Sequence, residues 1–467
     1  MDRTWLGMST CRLRIAHRTD RSARTFPPHC CDADGNGDRW ASGSRAARRM
    51  ACAGCRAGCR AREPGRLAGS ADVAALVRDG SRPRCSGHPA MRRTVLLITT
   101  SYPGEQPGSE AAGAFVADLA RALQPFIDVR VVAPGPSETR ERTPDGLEVY
   151  RFSAGDRPLS LLSPLRPWHW PRILGALRSL RRQALAANGD RRLAHTLALW
   201  LLPSGWAARS LLRQHGVPYS TWALGSDIWS LGRLPGVRRM LAAVGKGASA
   251  AYADGHVLAR DAQRVCGRPF EFLPSARALE VVRTDPVRAA PPYRYLFLGR
   301  WHPNKGVDLL LDALELLRDD DWRSIGEVHI AGGGPMEDRV RSHIMRLQLA
   351  SRPVRLSGFL GTVEAANALA DSDRLLLPSR IESIPVVFSD AMTAGVPVVS
   401  MPVGDLPALV QPGLGWLSAG VEPAAFADAI RASFEGRIDA DAITACARAF
   451  HPSTTARRLL DDWEVAA

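Results

Sequence analysis

From residue 94 onward the chain alternates short apolar runs with longer amphipathic ones, and it does so in two separate series. Short apolar runs punctuated by Gly and Pro mark buried parallel strands, and the period-3.6 stretches between them mark the helices that cover such a sheet. The first series reads as a strand at 95–99, a Gly- and Pro-rich loop from Tyr102 to Gly113, a helix at 114–123 and a strand at 129–133. The second reads as strands at 295–298, 328–331, 375–377 and 398–400, with helices at 307–317, 336–349 and 386–394. Residues 284–292 (Thr-Asp-Pro-Val-Arg-Ala-Ala-Pro-Pro) separate the two as a linker. The order predicts an α/β protein with two Rossmann-like domains, 91–290 and 291–450, facing each other across a cleft. Sheets of this kind bind ligands at the carboxyl ends of their strands, so the loops leaving those ends are where chemistry is to be sought.

Composition narrows the class. The 467 residues are 45% hydrophobic and 23% charged, which fits a globular chain and excludes collagen-like, coiled-coil and wholly disordered ones. The longest apolar stretch, 193–208, is too short to span a bilayer and contains His195, Pro203 and Ser204. No apolar leader follows Met1-Asp2-Arg3, so the expectation is a cytoplasmic protein. The formal net charge of +14 divides into +9 on residues 1–90, +11 on 91–290 and −6 on 291–467.

The first ninety residues lack either structural period and are rich in Arg, Gly, Ala and Ser. Cysteines 11, 30, 31, 52, 55, 59 and 85 all lie there, and Cys52, Cys55 and Cys59 form C-x2-C-x3-C. A metal site would need more: His29 and His88 are the nearest imidazoles, and no second Cys pair follows at zinc-finger spacing. Few aromatics accompany the arginines, so nucleic acid is not the expected partner. The expectation is a disordered extension, with Met91 as the natural start. Residues 159–192 also stand apart. Trp168 and Trp170 occur there with Arg172, Arg178, Arg181, Arg182, Arg191 and Arg192, and Leu174, Leu177 and Leu180 mark one helical face. Two readings stay open for this stretch: peripheral contact with an anionic membrane surface, or an ordinary surface helix on the core.

Chemistry concentrates in the second series. Gly299-Arg300 ends a strand and Lys305-Gly306 opens the next helix, two cations placed to bind an anion such as a diphosphate and to help it leave. The alternative is a loop with two surface cations. Only two of the 61 basic residues are lysines, Lys246 and Lys305, which hints that a compact ammonium is wanted at 305. Gly332-Gly333-Gly334-Pro335 forms a further strand-to-helix turn. Glu382 precedes a helix that contains Asp390; eight residues of helical rise separate them by about 12 Å. Carboxylates at that separation suit hydroxyl groups at two ends of one ligand. The alternative is charge compensation of the helix by Glu382 and a solvated Asp390.

In order, Gly-Arg-x4-Lys-Gly (299–306), Ala-Gly-Gly-Gly-Pro (331–335) and Pro-Ser-x2-Glu-x7-Asp-Ala-Met-x-Ala-Gly-x-Pro-Val-Val (378–399) resemble the donor-binding half of the retaining GT-B glycosyltransferases of group 1. The likeness runs from Met91 to Ala467 and is best over 293–420. It implies a donor site that includes Gly299, Arg300, Lys305, Gly332, Gly333, Gly334 and Ser379. Arg300 and Lys305 would hold the donor diphosphate, Glu382 the transferred sugar and Asp390 the ribose. The family has Glu at the last position, one methylene longer. Gly404-Asp405-Leu406-Pro407 resembles the family's Gly-Gly-x-Pro loop, with Asp405 in place of the second Gly. Leu224-Gly225-Ser226-Asp227 resembles its His-Gly-Ser-Asp segment, with Leu224 in place of the His. Asp227 then either orients the acceptor or caps a helix. The loop holding Gly104, Gly108 and Gly113 corresponds to the family's acceptor-side loop, and the helix within 451–467 to the one that crosses back onto the first domain.

The resemblance implies retaining, metal-independent transfer of a sugar from a nucleotide diphosphate sugar to a lipid-linked or polysaccharide acceptor, without a cofactor. Asp371-Ser372-Asp373 reads as a turn, not as a metal motif. The competing readings are an epimerase or inverting transferase on the same fold, and a non-catalytic sugar-nucleotide-binding protein.

Overall fold

The computed structural model describes residues 92–464 apart from 105–112, 156–158, 160–161 and 190–192. The N-terminal cysteines, the start at Met91, Gly108, Arg191 and Arg192 lie outside the described residues.

Two sheets organise the chain. The first has eight strands: β1 (Thr94–Ile98), β2 (Asp128–Gly135), β3 (Thr139–Arg142), β4 (Glu148–Ser153), β5 (Leu193–Leu199), β6 (Tyr219–Ala223), β7 (Ala251–Ala253) and β8 (Glu271–Phe272). Their order is β3-β4-β2-β1-β5-β6-β7-β8, and β3 at the edge is antiparallel to β4 while the other pairs are parallel. The second has six parallel strands, β9 (Tyr293–Arg300), β10 (Ile325–Gly333), β11 (Val354–Ser357), β12 (Arg374–Leu377), β13 (Val398–Ser400) and β14 (Gly415–Leu417), in the order β11-β10-β9-β12-β13-β14. Each sheet is the frame of one lobe.

Helices cover both faces of each sheet. In the first lobe they are α1 (Ala114–Leu123), α2 (Trp170–Asn188), α3 (Ser204–His215), α4 (Ser226–Trp229), α5 (Pro235–Gly247) and α6 (His256–Cys266). In the second they are α7 (Val307–Glu315), α8 (Asp319–Arg323), α9 (Glu337–Leu349), α10 (Thr362–Ala370), α11 (Val386–Thr393), α12 (Leu406–Leu409), α13 (Pro423–Ala432) and α14 (Ala440–Ala449). The strand β1 shows why its sequence is apolar throughout. Val95 and Leu97 enter the core on one face while Leu96 and Ile98 enter the core on the other. A strand covered on both sides has no polar face to display.

The last helix, α15 (Pro452–Asp462), follows the second lobe in sequence but packs on α1 of the first. Ala456, Leu459, Leu460 and Trp463 are buried with Val95, Leu97 and Leu119. Trp463 stacks on His195 with ring centroids 4.9 Å apart, and its Nε1 donates to Ser220 Oγ at 3.1 Å. Tyr252 donates its hydroxyl to Asp462 at 2.8 Å.

The stretch 193–208 is neither one helix nor one strand. It divides into β5 and the start of α3, with Trp200 at φ 64° between them. In α2 the packed face also differs from the leucine stripe. Ala176, Ser179, Leu180, Ala184 and Ala187 are buried, whereas Leu177 is half-buried and Leu174 is exposed. Small residues let the helix lie close on β4, where Ser179 Oγ receives the N–H of Ser153 at 2.8 Å. A leucine stripe would have held it further off.

Candidate functional site

The second lobe collects its polar residues at the carboxyl edge of its sheet, and glycines make the collection possible. β9 ends at Gly299-Arg300 and lies beside both β10 and β12. Gly332 and Gly334, at φ 146° and 151°, press on β9. A Cβ at Gly332 would overlap the Gly299 carbonyl, and one at Gly334 would approach Trp301 O to 2.7 Å. Gly306, at φ 67°, closes the turn before α7, and a Cβ there would overlap the carbonyl of Pro378. Only glycine permits both the left-handed backbone and this approach. The turn that carries Lys305 is thereby laid against the loop that leaves β12.

That loop carries Ser379 and Glu382. Lys305 Nζ forms an ion pair with Glu382 Oε1, and Ser379 Oγ donates to the same oxygen at 3.4 Å. A guanidinium that sequence reading passed over braces the arrangement. Arg380 takes both carboxylate oxygens of Asp308, at 2.7 and 3.1 Å, and the Pro303 carbonyl at 2.8 Å. Burial works to raise the Asp308 pKa, but the hydrogen bonds and charge of Arg380 prevail and hold it below its ordinary value. This bidentate pair fixes the α7 turn to the β12 loop. Arg300 stands exposed at the end of the neighbouring strand and makes no ion pair among the described residues. It is therefore not ion-paired with Glu382, although all three residues leave the same sheet edge.

Asp390 sits inside α11 and is 2% exposed. Its Oδ2 lies 3.6 Å from Arg277 Nη1, while its Oδ1 and Arg277 Nε are buried without a hydrogen-bond partner among the described residues. Burial pushes its pKa up to about 7, opposed by Arg277 and reinforced by Asp118. It is not a solvated surface acid. Asp118 comes from α1 of the first lobe and accepts at 3.0 Å the N–H of Ala278, whose neighbours Ala276 and Leu279 are buried in the core of the second lobe, so the two lobes meet here.

Asp227 is buried, and its carboxylate accepts the backbone N–H groups of Leu201 at 2.8 Å, Ile228 at 3.2 Å and Leu224 at 3.3 Å. Burial nevertheless lifts its pKa to about 6. It holds two loops of the first lobe together and is not aimed at the Lys305–Glu382 pair. Leu224 packs against the apolar core beside it. Gly113, at φ 69°, begins α1 hard against the Ser101 carbonyl, so the Gly104–Gly113 loop starts and ends at the carboxyl edge of β1. Asp373 accepts the N–H groups of Arg288 at 3.0 Å and Arg294 at 2.8 Å at the opposite end of β12, a structural turn.

Two further acids face this region: Asp254, which sequence reading missed, and Asp405, known from the sequence only as the residue in place of a loop glycine. Asp254 at the end of β7 is buried and accepts the Ser275 N–H at 2.6 Å. Burial pushes its pKa well up; the Ser275 hydrogen bonds oppose this, and the Glu382 and Asp405 carboxylates add to it. Asp405, at the start of α12, reaches across to the first lobe, where it accepts the N–H groups of His256 and Val257.

Two parallel-sheet lobes closed by a returning C-terminal helix define the GT-B class, and comparison with solved structures agrees. HepE of Anabaena, solved in complex with UDP, superposes at a TM-score of 0.58 over 79% of this chain and 98% of that one, at 18% identity. Residues 292–435, within the second lobe, match the model of the glycosyl transferases group 1 family. The D-inositol 3-phosphate glycosyltransferase of Frankia alni is 28% identical over 407 residues, 78% of this chain and 97% of that protein. The amylovoran biosynthesis glycosyltransferase AmsK of Erwinia amylovora is 30% identical over 165 residues, 34% of this chain and 40% of its own length. Three other bacterial glycosyltransferases are matched over 34%, 38% and 34% of their lengths.

Proposed function

We propose that the protein transfers a sugar, with retention at the anomeric carbon, from a nucleotide diphosphate sugar to a lipid-linked or polysaccharide acceptor. The observation that carries this reading is the Lys305–Glu382 contact at a sheet edge that also presents the exposed cation of Arg300, which has no ion pair among the described residues. On donor binding, the ammonium turns from Glu382 to the diphosphate, joined by Arg300, and Glu382 becomes free to accept sugar hydroxyls. Fixed cations that meet the charge developing on the leaving diphosphate supply the main electrostatic assistance. They take the place of a metal in this reading, and Asp371 and Asp373 belong to a turn at the far end of β12. The bond from the anomeric carbon to the diphosphate breaks, and the acceptor oxygen bonds to the same face. The acceptor proton passes to the departing phosphate oxygen. The commitment of Asp227 to three backbone N–H groups supports a route that needs no protein base in the first lobe.

The acceptor side favours a membrane surface. Leu165, Trp168, Trp170 and Leu174 are exposed beside Arg166 and Arg172 at the start of α2. Interfacial aromatics among arginines suit an anionic leaflet. The fit between such a surface and a lipid-linked acceptor supports reading the enzyme as peripheral on the cytoplasmic face.

Lys305→Ala tests the assignment. Turnover of the nucleotide sugar should fall by roughly 10²–10³-fold with the fold intact. Wild-type turnover in that variant refutes the assignment. Proton spectra of the product report its anomer, and inversion would overturn retention. A chelator should leave the rate unchanged.

A further inference from the structure

Helix α6 of the first lobe begins at His256, and its N-cap residue, Gly255, offers no side chain to the orphan N–H groups that open every helix. The cap comes from the other lobe. Both carboxylate oxygens of Asp405 are used, one on the His256 N–H and the other on the Val257 N–H at 2.8 Å. The same residue grips the donor loop by its backbone: Asp405 N donates to Ser383 O at 3.1 Å. Ser383 directly follows Glu382. Asp405 is 4% exposed, so water does not replace either contact while the lobes are together. Gly255 is part of the fit, since a Cβ there would overlap both Ser383 Oγ and Asp405 Oδ2.

We propose that Asp405 is a positioning residue: its side chain latches the two lobes while its backbone sets the loop that carries Glu382. The proposal rests on the reading of Glu382 as a sugar-holding group. A carboxylate on a helix N-terminus is favoured by both the free N–H groups and the helix dipole. Here that interaction exists only when the lobes are closed. Opening the cleft uncovers two N–H groups and a buried carboxylate together and frees the loop holding Glu382. Closure and sugar positioning are therefore one event.

The test separates a latch from an ordinary helix cap. Asp405→Ala removes the tether, Asp405→Asn keeps an acceptor oxygen, and the pair G255S/D405G restores a cap within α6 while leaving nothing to reach across. The serine at 255 also meets Ser383, which holds the lobes apart. Full-length proteins are compared by amide exchange at 256–257, by small-angle scattering with and without UDP, and by steady-state kinetics. Asp405→Ala should expose the 256–257 amides and enlarge the radius of gyration. It should lower kcat/KM by about ten-fold, the factor expected for one charge-assisted hydrogen bond. Asp405→Asn should recover most of each. G255S/D405G should regain thermal stability but neither the compact scattering nor the activity. Unchanged scattering and exchange in Asp405→Ala, or recovery of activity in G255S/D405G, overturns the latch. Scattering and exchange need no turnover, so the failure of the proposed reaction would be read separately, from the wild type.

Discussion

At the scale of single residues, burial decides which acids remain ordinary. Asp390 looks in the sequence like any acid on a helix, but inside α11 it has lost water and, among the described residues, gained only Arg277 at 3.6 Å. Its pKa is raised from 3.8 to about 7 by that burial, with Arg277 opposing. The folded state therefore binds a proton that the unfolded state releases above pH 4. Stability from this group is complete below pH 4 and is lost as pH rises through 7. Denaturant midpoints of the wild type should fall across that window. In Asp390→Asn, which cannot ionise, the fall should be shallower. Parallel curves for the two proteins would show that Asp390 is not the titrating group. Asp227 makes a different case. Removing its carboxylate by Asp227→Ala takes the side-chain acceptor from the Leu201 and Leu224 N–H groups, while the Ile228 N–H keeps the Gly225 carbonyl at 3.0 Å. A loss of roughly 2–4 kcal/mol in unfolding free energy should follow. Its failure to appear would mean that water enters the site.

At the scale of elements, α2 shows how an amphipathic pattern can be read correctly in kind and wrongly in place. Its buried face is built of Ala176, Ser179, Leu180, Ala184 and Ala187, because a helix lying close on β4 needs small residues. Leu174, Trp168 and Trp170 are left to solvent, 42%, 70% and 54% exposed. Trp170 is not loose: its Nε1 donates to the Pro164 carbonyl at 2.9 Å, so the aromatic cluster is held out by design of the turn. If this cluster meets lipid, W168S/W170S should weaken co-sedimentation with anionic vesicles by about ten-fold or more, since two large apolar surfaces no longer leave water. Rates on a water-soluble acceptor should not change. Equal vesicle binding by the two proteins would remove the membrane from the proposal.

At the scale of the whole molecule, the order of the chain and the order of its contacts part company at α15. The helix comes after the second lobe and is buried on the first, with Leu459 and Ala456 fully enclosed. Leu459→Ala should cost about 2–5 kcal/mol, the usual penalty for an unfilled core site. Because α15 bridges the lobes, thermal unfolding of that variant should separate into two transitions, whereas one cooperative transition would mean that other contacts couple them.

The alternation of strands and helices, the glycine runs, Lys305, Glu382 and Arg300 were all visible in one dimension, because strand period, turn chemistry and strand-end position are local properties. Arg380 with Asp308, Arg277 with Asp390, and Asp405 with α6 were not. Each joins residues far apart in the chain, and local pattern carries no signal for such a pair. The replacement of a glycine by Asp405 was noticed in the sequence, but its consequence was invisible there. A carboxylate acquires its role from what faces it, and what faces this one is the bare end of a helix folded some 150 residues earlier. Local chemistry settled the architecture and the cast of charged groups. Which of them are spent on holding the protein together, and which are left to meet a ligand, was settled by long-range packing, because burial and partners exist only once the lobes have come together.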